Sequence, residues 1–351
     1  MKSKKLSEKI LRSIKSSGFN NISLDPVLET KYILQRSGEN FKKLLFSFYD
    51  INGKELCLRP DLTISSVIRF IQNNKKNREK VFYSGEAFRK TYQEKDSIIK
   101  NQIGYEILGS KNRHKDDKEI IVTALKILKK TGFKKSVLRI GNVELFNLLI
   151  EKLDLPRRWK NRLKRYYWNE NYFNELLNRL ETNSDIDPVF VESDKSRYQK
   201  MRKENQNKII AGRTYKEVLD RFNMKIKDPR KSSIGKKNTN IIKQFLNIKC
   251  PLEKAPKILN SFFQKKEINI IVGKDFFPIT KNKNKNLNIE FSAYTGREVE
   301  FYSSMIFSVE VKIKSKFKNF ISGGRYDHLT TNLGFKKVSA VGAAVNMNLY
   351  D

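Results

Sequence analysis

Two apolar runs with a polar stretch between them, VFYSGEAFR and QIGYEILG within residues 81–109, constrain the fold of this chain more than any other feature. Each alternates large apolar residues with small or polar ones, the period-2 pattern of a half-buried strand. Residues 90–100 between them are charged or polar apart from Tyr92, Ile98 and Ile99. The pattern predicts an antiparallel hairpin whose loop far exceeds the usual ~2–5 residues, and loops of that length tend to carry function. Arg89 closes the first strand. Gln102, Gly104 and Glu106 alternate along the second and therefore share one face. An arginine, an amide and a carboxylate on a sheet face suit a small zwitterion, because arginine forks a carboxylate and glutamate takes an ammonium. A solvated face with a surface ion pair accounts for the same residues.

Around this hairpin the chain alternates short strands and helices. The N-terminal stretch MKSKKLSEKILRSIKSSGF predicts an amphipathic first helix with Leu6, Ile10, Leu11 and Ile14 on one face. Residues 45–49 and 55–58 pair through an Asp50-Asn52-Gly53 turn. The string RPDLT (59–63) then starts a helix over 64–72, where Asp61 and Thr63 are explained by capping alone. A helix is predicted over 116–130, a strand over 136–140 and a helix over 144–153. From about residue 155 the chain turns helical, aromatic and basic. Trp159, Tyr166, Tyr167 and Trp168 stand among arginines, either as core packing or as a partner or RNA surface. Thr214 and Glu217 form a capping box. Strands return over 268–272, 298–301 and 305–312, with a polar loop over 281–288. The Gly323-Gly324 pair marks a close backbone approach, and residues 338–348 read as a buried strand.

Charge decides less than its size suggests. The 351 residues carry a net charge of +34, but the lysines spread along the whole chain instead of clustering, so no specific nucleic-acid role follows. No apolar run approaches the ~20 residues of a membrane span, and no leader pattern opens the chain. The only cysteines are Cys57 and Cys250, and the only histidines His114 and His328. That excludes a disulfide framework and a histidine-rich metal site, and points to a reducing cytoplasm. No cofactor is expected.

LCLRPDLT (56–63), FYSGEAFR…QIGYEILG (82–109), GREVEFYSSMIF (296–307), GGRYDHL (323–329) and AVGAAV (340–345), in this order, resemble the catalytic core of class II aminoacyl-tRNA synthetases, in particular histidyl-tRNA synthetase. The resemblance implies an α+β fold with an antiparallel sheet flanked by helices. It divides the chain into a core of residues 1–154 and 266–351, a mostly helical insertion over 155–265, and no anticodon-binding domain. It implies a homodimer built partly through the segment around Pro26. Carried over by residue, Asp61, Thr63, Arg89, Gln102, Glu106, Arg297, Phe301, Tyr302 and Tyr326 form a histidine-binding set. Asp61 stands where the synthetases have Glu, and Phe301 and Tyr302 where they have a tyrosine pair. Tyr294-Thr295-Gly296 offers a competing register, but anchoring on Arg297 keeps Glu300, Tyr302 and Phe307 in place.

Two departures redirect the expectation. The resemblance puts arginines for ATP near Asp96 or Ile98 and at Leu349, and neither isoleucine nor leucine supplies charge or a planar fork. A kept amino-acid pocket beside a damaged ATP site is similar to the ATP phosphoribosyltransferase regulatory subunits. LPRRWKNRLKRYYW and AGRTYKEVLDRF in the insertion resemble that family too. It implies a non-enzymatic subunit that partners a short-form catalytic subunit within a hetero-oligomer and confers feedback control by histidine. A divergent histidyl-tRNA synthetase core and a tRNA-binding paralogue are the rival readings.

Overall fold

The computed structural model describes residues 2–37, 39–73, 77–91, 97–182, 188–203, 209–210, 213–226, 232–278, 286–296 and 301–350. The predicted hairpin forms its centre. β5 (Glu79–Phe88) and β6 (Ile99–Leu108) pair antiparallel along their full length, with Tyr83 opposite Gly104 and Val81 opposite Glu106. The short β1 (Asn20–Asn21) follows the first helix, α1 (Lys2–Lys15), and joins β5 in parallel at the sheet edge. Before the hairpin, β2 (Val27–Glu29), β3 (Ser47–Tyr49) and β4 (Glu55–Leu58) form a separate three-stranded sheet. Between them lies α2 (Thr30–Ser37), and after them comes α3 (Leu62–Gln72).

The remaining large strands complete a nine-stranded sheet. They are β7 (Ser136–Asn142), β10 (Lys249–Pro251), β11 (Leu287–Ser292), β12 (Met305–Ile313), β13 (Lys316–Arg325) and β14 (Ala340–Asn346). The order is β1-β5-β6-β14-β13-β12-β7-β11-β10. Its centre is antiparallel as expected, but β1 with β5 and β11 with β7 are parallel, so the sheet is mixed. α4 (Arg113–Thr131) and α5 (Val143–Lys152) pack with α1 against one face, where Phe82, Ile103, Tyr105 and Ile107 meet Ile10, Ile120, Ile121 and Ala124. Part of the other face lies under α3 and the small sheet, in a second cluster around Ile64, Val67, Val81, Leu108 and Tyr326.

The stretch from residue 155 onward is mainly helical: α6 (Arg157–Arg165), α7 (Glu170–Thr182), α8 (Pro188–Arg202), α9 (Tyr215–Ile226), α10 (Ser232–Leu246) and α11 (Ala255–Lys265). The pair β8 (Ile209–Ile210) and β9 (Arg213–Thr214) precedes α9. The capping box forms: the Thr214 N–H donates to Glu217 at 2.8 Å, and the Glu217 N–H donates back to the Thr214 hydroxyl at 3.3 Å. Trp159, Tyr167 and Phe173 are buried in the same apolar cluster as the sheet face, so these aromatics serve packing. No described helix is long and apolar enough to cross a membrane.

Two expectations need correction. Residues 268–272 are not a strand, because their backbone is satisfied from α11: the Val272 N–H donates to Asn260 Oδ1 at 2.8 Å, and Asn260 Nδ2 donates to the Val272 carbonyl at 3.0 Å. The polar loop over 281–288 ends early, since β11 starts at Leu287 and alternates Leu287, Ile289 and Phe291 along β7. Residues 281–285 lie outside the described residues, as do residues 298–300 of the strand expected at 298–301, whose last residue, Phe301, is in a turn.

Candidate functional site

The site is built where β6 crosses from β5 to β14. Cross-strand partners share a face, so Glu106 on β6 lies between Val81 of β5 and Gly342 of β14. A Cβ at Gly342 would sit 1.3 Å from Glu106 Oε2, so the carboxylate rests on bare backbone and only glycine fits beneath it. One step along, a Cβ at Gly104 would lie 2.4 Å from the Tyr83 ring, and the glycine lets that ring fold over the strand. Gly342 belongs to the string that reads as a buried strand, and Gly104 to the second strand of the predicted hairpin.

Glu106 is 1 % exposed and collects three hydroxyls. Tyr83 donates to Oε1 at 2.6 Å and Thr63 to the same oxygen at 3.2 Å, while Tyr326 donates to Oε2. The solvated-face reading of this carboxylate therefore fails. Burial pushes its pKa from the ordinary 4.5 to about 7; the Tyr326, Tyr83 and Thr63 hydroxyls pull it down, and the Asp61 charge adds to the rise. The Tyr83 and Tyr326 phenols are driven well above their usual range, mainly by burial and then by the Glu106 charge.

The other expected residues gather to different degrees. Asp61 caps α3, its Oδ1 accepting the Ile64 N–H at 2.8 Å, as the capping argument requires. Thr63 is not a cap; its hydroxyl is used on Glu106. Arg89 lies just past β5, donates from Nε to the Pro60 carbonyl at 2.7 Å and has Nη2 4.0 Å from Asp61 Oδ2. Phe301 meets Tyr326 edge-on at 5.7 Å and lies 5.0 Å from the Tyr302 ring. Gln102 shares the Glu106 face but stands four residues away, roughly 13 Å along the strand, opposite Gly85 and Asn346. Arg297 lies outside the described residues.

Gly104, Ala344, Ser322 and Ser308 pair in sequence across β6, β14, β13 and β12. At the far end of this row of small residues, Ser308 and Ser322 line a cavity of about 530 Å³ with Tyr302, Tyr294 and Arg139. Arg139 bridges Glu290 at 2.5 Å and Glu310. The Glu106 carboxylate, once ionised, is a group able to take an ammonium, and the Tyr83 and Tyr326 phenols cover it.

Sequence reasoning missed Tyr83, which lies two residues from Val81 on the same face and could have been placed by its pairing with a glycine. It also missed Arg325, which is completely buried and holds the GGRYD turn by reaching Asp117 at 2.6 Å and Asp327 at 2.9 Å. Among the described residues no group of three or more His, Cys, Asp or Glu side chains is placed to hold a metal.

A family model described as histidyl-tRNA synthetase matches residues 1–349. The ATP phosphoribosyltransferase regulatory subunit of Brucella anthropi is 25 % identical over 319 residues, covering 86 % of this chain and 84 % of its own. That of Allorhizobium ampelinum is 25 % identical over 337 residues, covering 90 % and 89 %. Among solved structures, histidyl-tRNA synthetase from Nostoc superposes with a TM-score of 0.64 at 16 % identity, over 99 % of this chain and 70 % of its own. A Bacillus halodurans protein described as an ATP phosphoribosyltransferase regulatory subunit/histidyl-tRNA synthetase gives 0.59 at 17 %, over 99 % and 77 %. Leu349, where the sequence resemblance expects an adenine-stacking arginine, packs half-buried against the main apolar cluster, and Ile98 is 47 % exposed.

Proposed function

The chain belongs to the histidyl-tRNA synthetase family, and from that premise we propose that it is a non-catalytic regulatory subunit of ATP phosphoribosyltransferase that senses free histidine. The observation that carries the reading is the contrast between the Glu106 site and the positions that would handle ATP. In that site a buried carboxylate with three hydroxyl donors suits an amino acid. At the positions that would handle ATP, an exposed isoleucine and a leucine committed to packing stand in for arginines. Adenylate chemistry needs that charge in place. The similarity to the regulatory subunits of Brucella anthropi and Allorhizobium ampelinum supports the same reading.

In this reading the histidine ammonium faces Glu106 and its carboxylate faces an arginine, Arg89 or Arg297. Asp61, Thr63, Gln102, Phe301, Tyr302 and Tyr326 complete the pocket. The partner is a short-form catalytic subunit, and a homodimer of this chain sits within the hetero-oligomer. Residues 1–154 and 266–351 form the synthetase-like core around the insertion at 155–265. Histidine acts by binding one state of the complex better than the other, with a coupling of ~1–3 kcal/mol.

The test is phosphoribosyl transfer by a purified short-form catalytic subunit, with and without this protein and across a histidine titration. The reading expects activity and histidine sensitivity only with both chains present. Equal activity and equal sensitivity without this protein would reject it. The family model's own name favours one rival, a histidine-activating enzyme. Histidine-dependent exchange of pyrophosphate with ATP by this chain alone would establish that rival instead.

A further inference from the structure

Arg59 is a buried cation that the Glu106 site does not use. It stands between β4 and α3 and is 8 % exposed. Its Nε donates to the Glu86 carbonyl at 2.8 Å and its Nη1 to the Leu24 carbonyl at 2.5 Å. Among the described residues no carboxylate forms an ion pair with it. Asp25 and Glu86 act on it only as more distant charges, and burial lowers its pKa. A buried charge without a counter-ion is costly. Arg59 lines a cavity of about 550 Å³ at the β1 edge of the sheet, a volume typical of small-molecule sites. Phe82 and Ser84 line it from the face of β5 opposite to Tyr83, so it is separate from the Glu106 pocket.

Among the described residues no Asp or Glu lines this cavity. Lys15, in the last turn of α1, lines it without an ion pair among those residues. Arg12 lies there too, but Glu8 meets it at 4.0 Å, so the unbalanced charge rests on Arg59 and Lys15. Asn21, Ser23 and Ser84 add an amide and two hydroxyls whose side chains bond nothing else among the described residues. Leu11, Ile22 and Phe82 supply an apolar wall. The Arg59 Nε and Nη1 are committed to carbonyls, so the fork that grips a planar carboxylate is taken. The remaining donors come from separate elements, α1, β1, β5 and the turn that carries Arg59, which suits a tetrahedral oxyanion with three acceptor oxygens. We infer that this cavity binds a small organic phosphate, with the phosphate on Arg59 and Lys15 and the organic body against the apolar wall. The inference is independent of histidine binding and of a catalytic partner.

Calorimetric titration of phenyl phosphate into the full chain tests it, in phosphate-free buffer at about 0.15 M salt, with inorganic phosphate and benzoate as comparisons. Lys15 is exposed, so Lys15→Glu reverses its charge without opening the core, and an unchanged melting curve checks that. Ser84→Ala is the second variant. Lys130→Glu, on an exposed lysine of α4 that does not line the cavity, is the control for general charge attraction. The expected result is saturable one-site binding of phenyl phosphate, tighter than that of either comparison. Lys15→Glu should weaken it about tenfold or more and Ser84→Ala less, while Lys130→Glu and Glu106→Gln retain it. Failure to saturate, or equal loss in Lys15→Glu and Lys130→Glu, overturns the site. Benzoate binding as tightly overturns the phosphate class, and inorganic phosphate binding as tightly overturns the organic body. Affinity that falls as protein concentration rises gives the cations to a carboxylate of a second copy, and overturns the inference.

Discussion

Glu106 offers a quantitative check on the whole site, because its pKa links the pocket to the stability of the fold. Its folded-state pKa of about 7 lies above the ordinary 4.5, and burial is the main cause. A carboxyl raised in this way favours folding when protonated. Its contribution is fully present below the unfolded value and is lost as pH rises through about 7. The gap from 4.5 to about 7, at about 1.4 kcal/mol per pH unit, amounts to about 3 kcal/mol. Glu106→Gln keeps the shape and removes the titration. Guanidinium unfolding of both proteins from about pH 4 to about pH 8 should therefore show the wild type losing about 3 kcal/mol relative to the glutamine variant, with unchanged m-values. Glu29 and Glu151 are lowered by lysine partners and bend the curves the opposite way, but they do so in both proteins and cancel in the difference. Parallel curves would refute the argument. So would a wild type that gains on the variant as pH rises, since the three hydroxyls would then outweigh desolvation.

Gly342→Ala puts a methyl where Glu106 Oε2 lies, so it should cost about 1–3 kcal/mol; most of that should return when Glu106→Ala is added, as a double-mutant cycle by chemical denaturation would show. Arg325→Met takes from buried Asp117 its 2.6 Å partner and from Asp327 one of several partners and should lower stability by about 3–5 kcal/mol, with Arg325→Lys rescuing little because the fork is lost. Asp61→Ala removes the α3 cap for about 1 kcal/mol, whereas Asp61→Asn keeps it; denaturation midpoints of the pair distinguish capping from a ligand role. If Glu106 faces the histidine ammonium, calorimetric affinity should fall by about tenfold per pH unit below about 7, and Glu106→Gln should abolish that slope.

The hairpin was legible because alternation is a local property, and β5 and β6 need only each other to pair. The depth of Glu106 was not legible, because it is set by contacts far along the chain. Tyr326 is 220 residues away, and Gly342 lies on β14, which follows β13 in the chain yet pairs with β6. Nothing local separates a carboxylate on an open face from one under a tyrosine pair. The two misassigned strands failed for opposite reasons. Residues 268–272 are apolar enough for a sheet, but Asn260 satisfies the Val272 backbone from a helix and Ile268 bonds back to Phe263. Leu287, Ile289 and Phe291 do alternate, but the adjoining lysine and asparagine run hid the pattern.

The same register explains why the motif strings take the form they do. In AVGAAV the glycine is required by the carboxylate on the next strand, and in QIGYEILG it is required by the tyrosine ring across from it. Each glycine therefore reports a side chain on a neighbouring strand, and the two together outline the pocket in negative. Leu349 follows the opposite logic. It lies just after β14, and its half-burial against the apolar cluster ties that position to packing. An arginine there would have to leave the cluster before it could reach a nucleotide. The side chain at this position is apolar and committed to packing, so an arginine introduced there would cost packing before it could supply a charge.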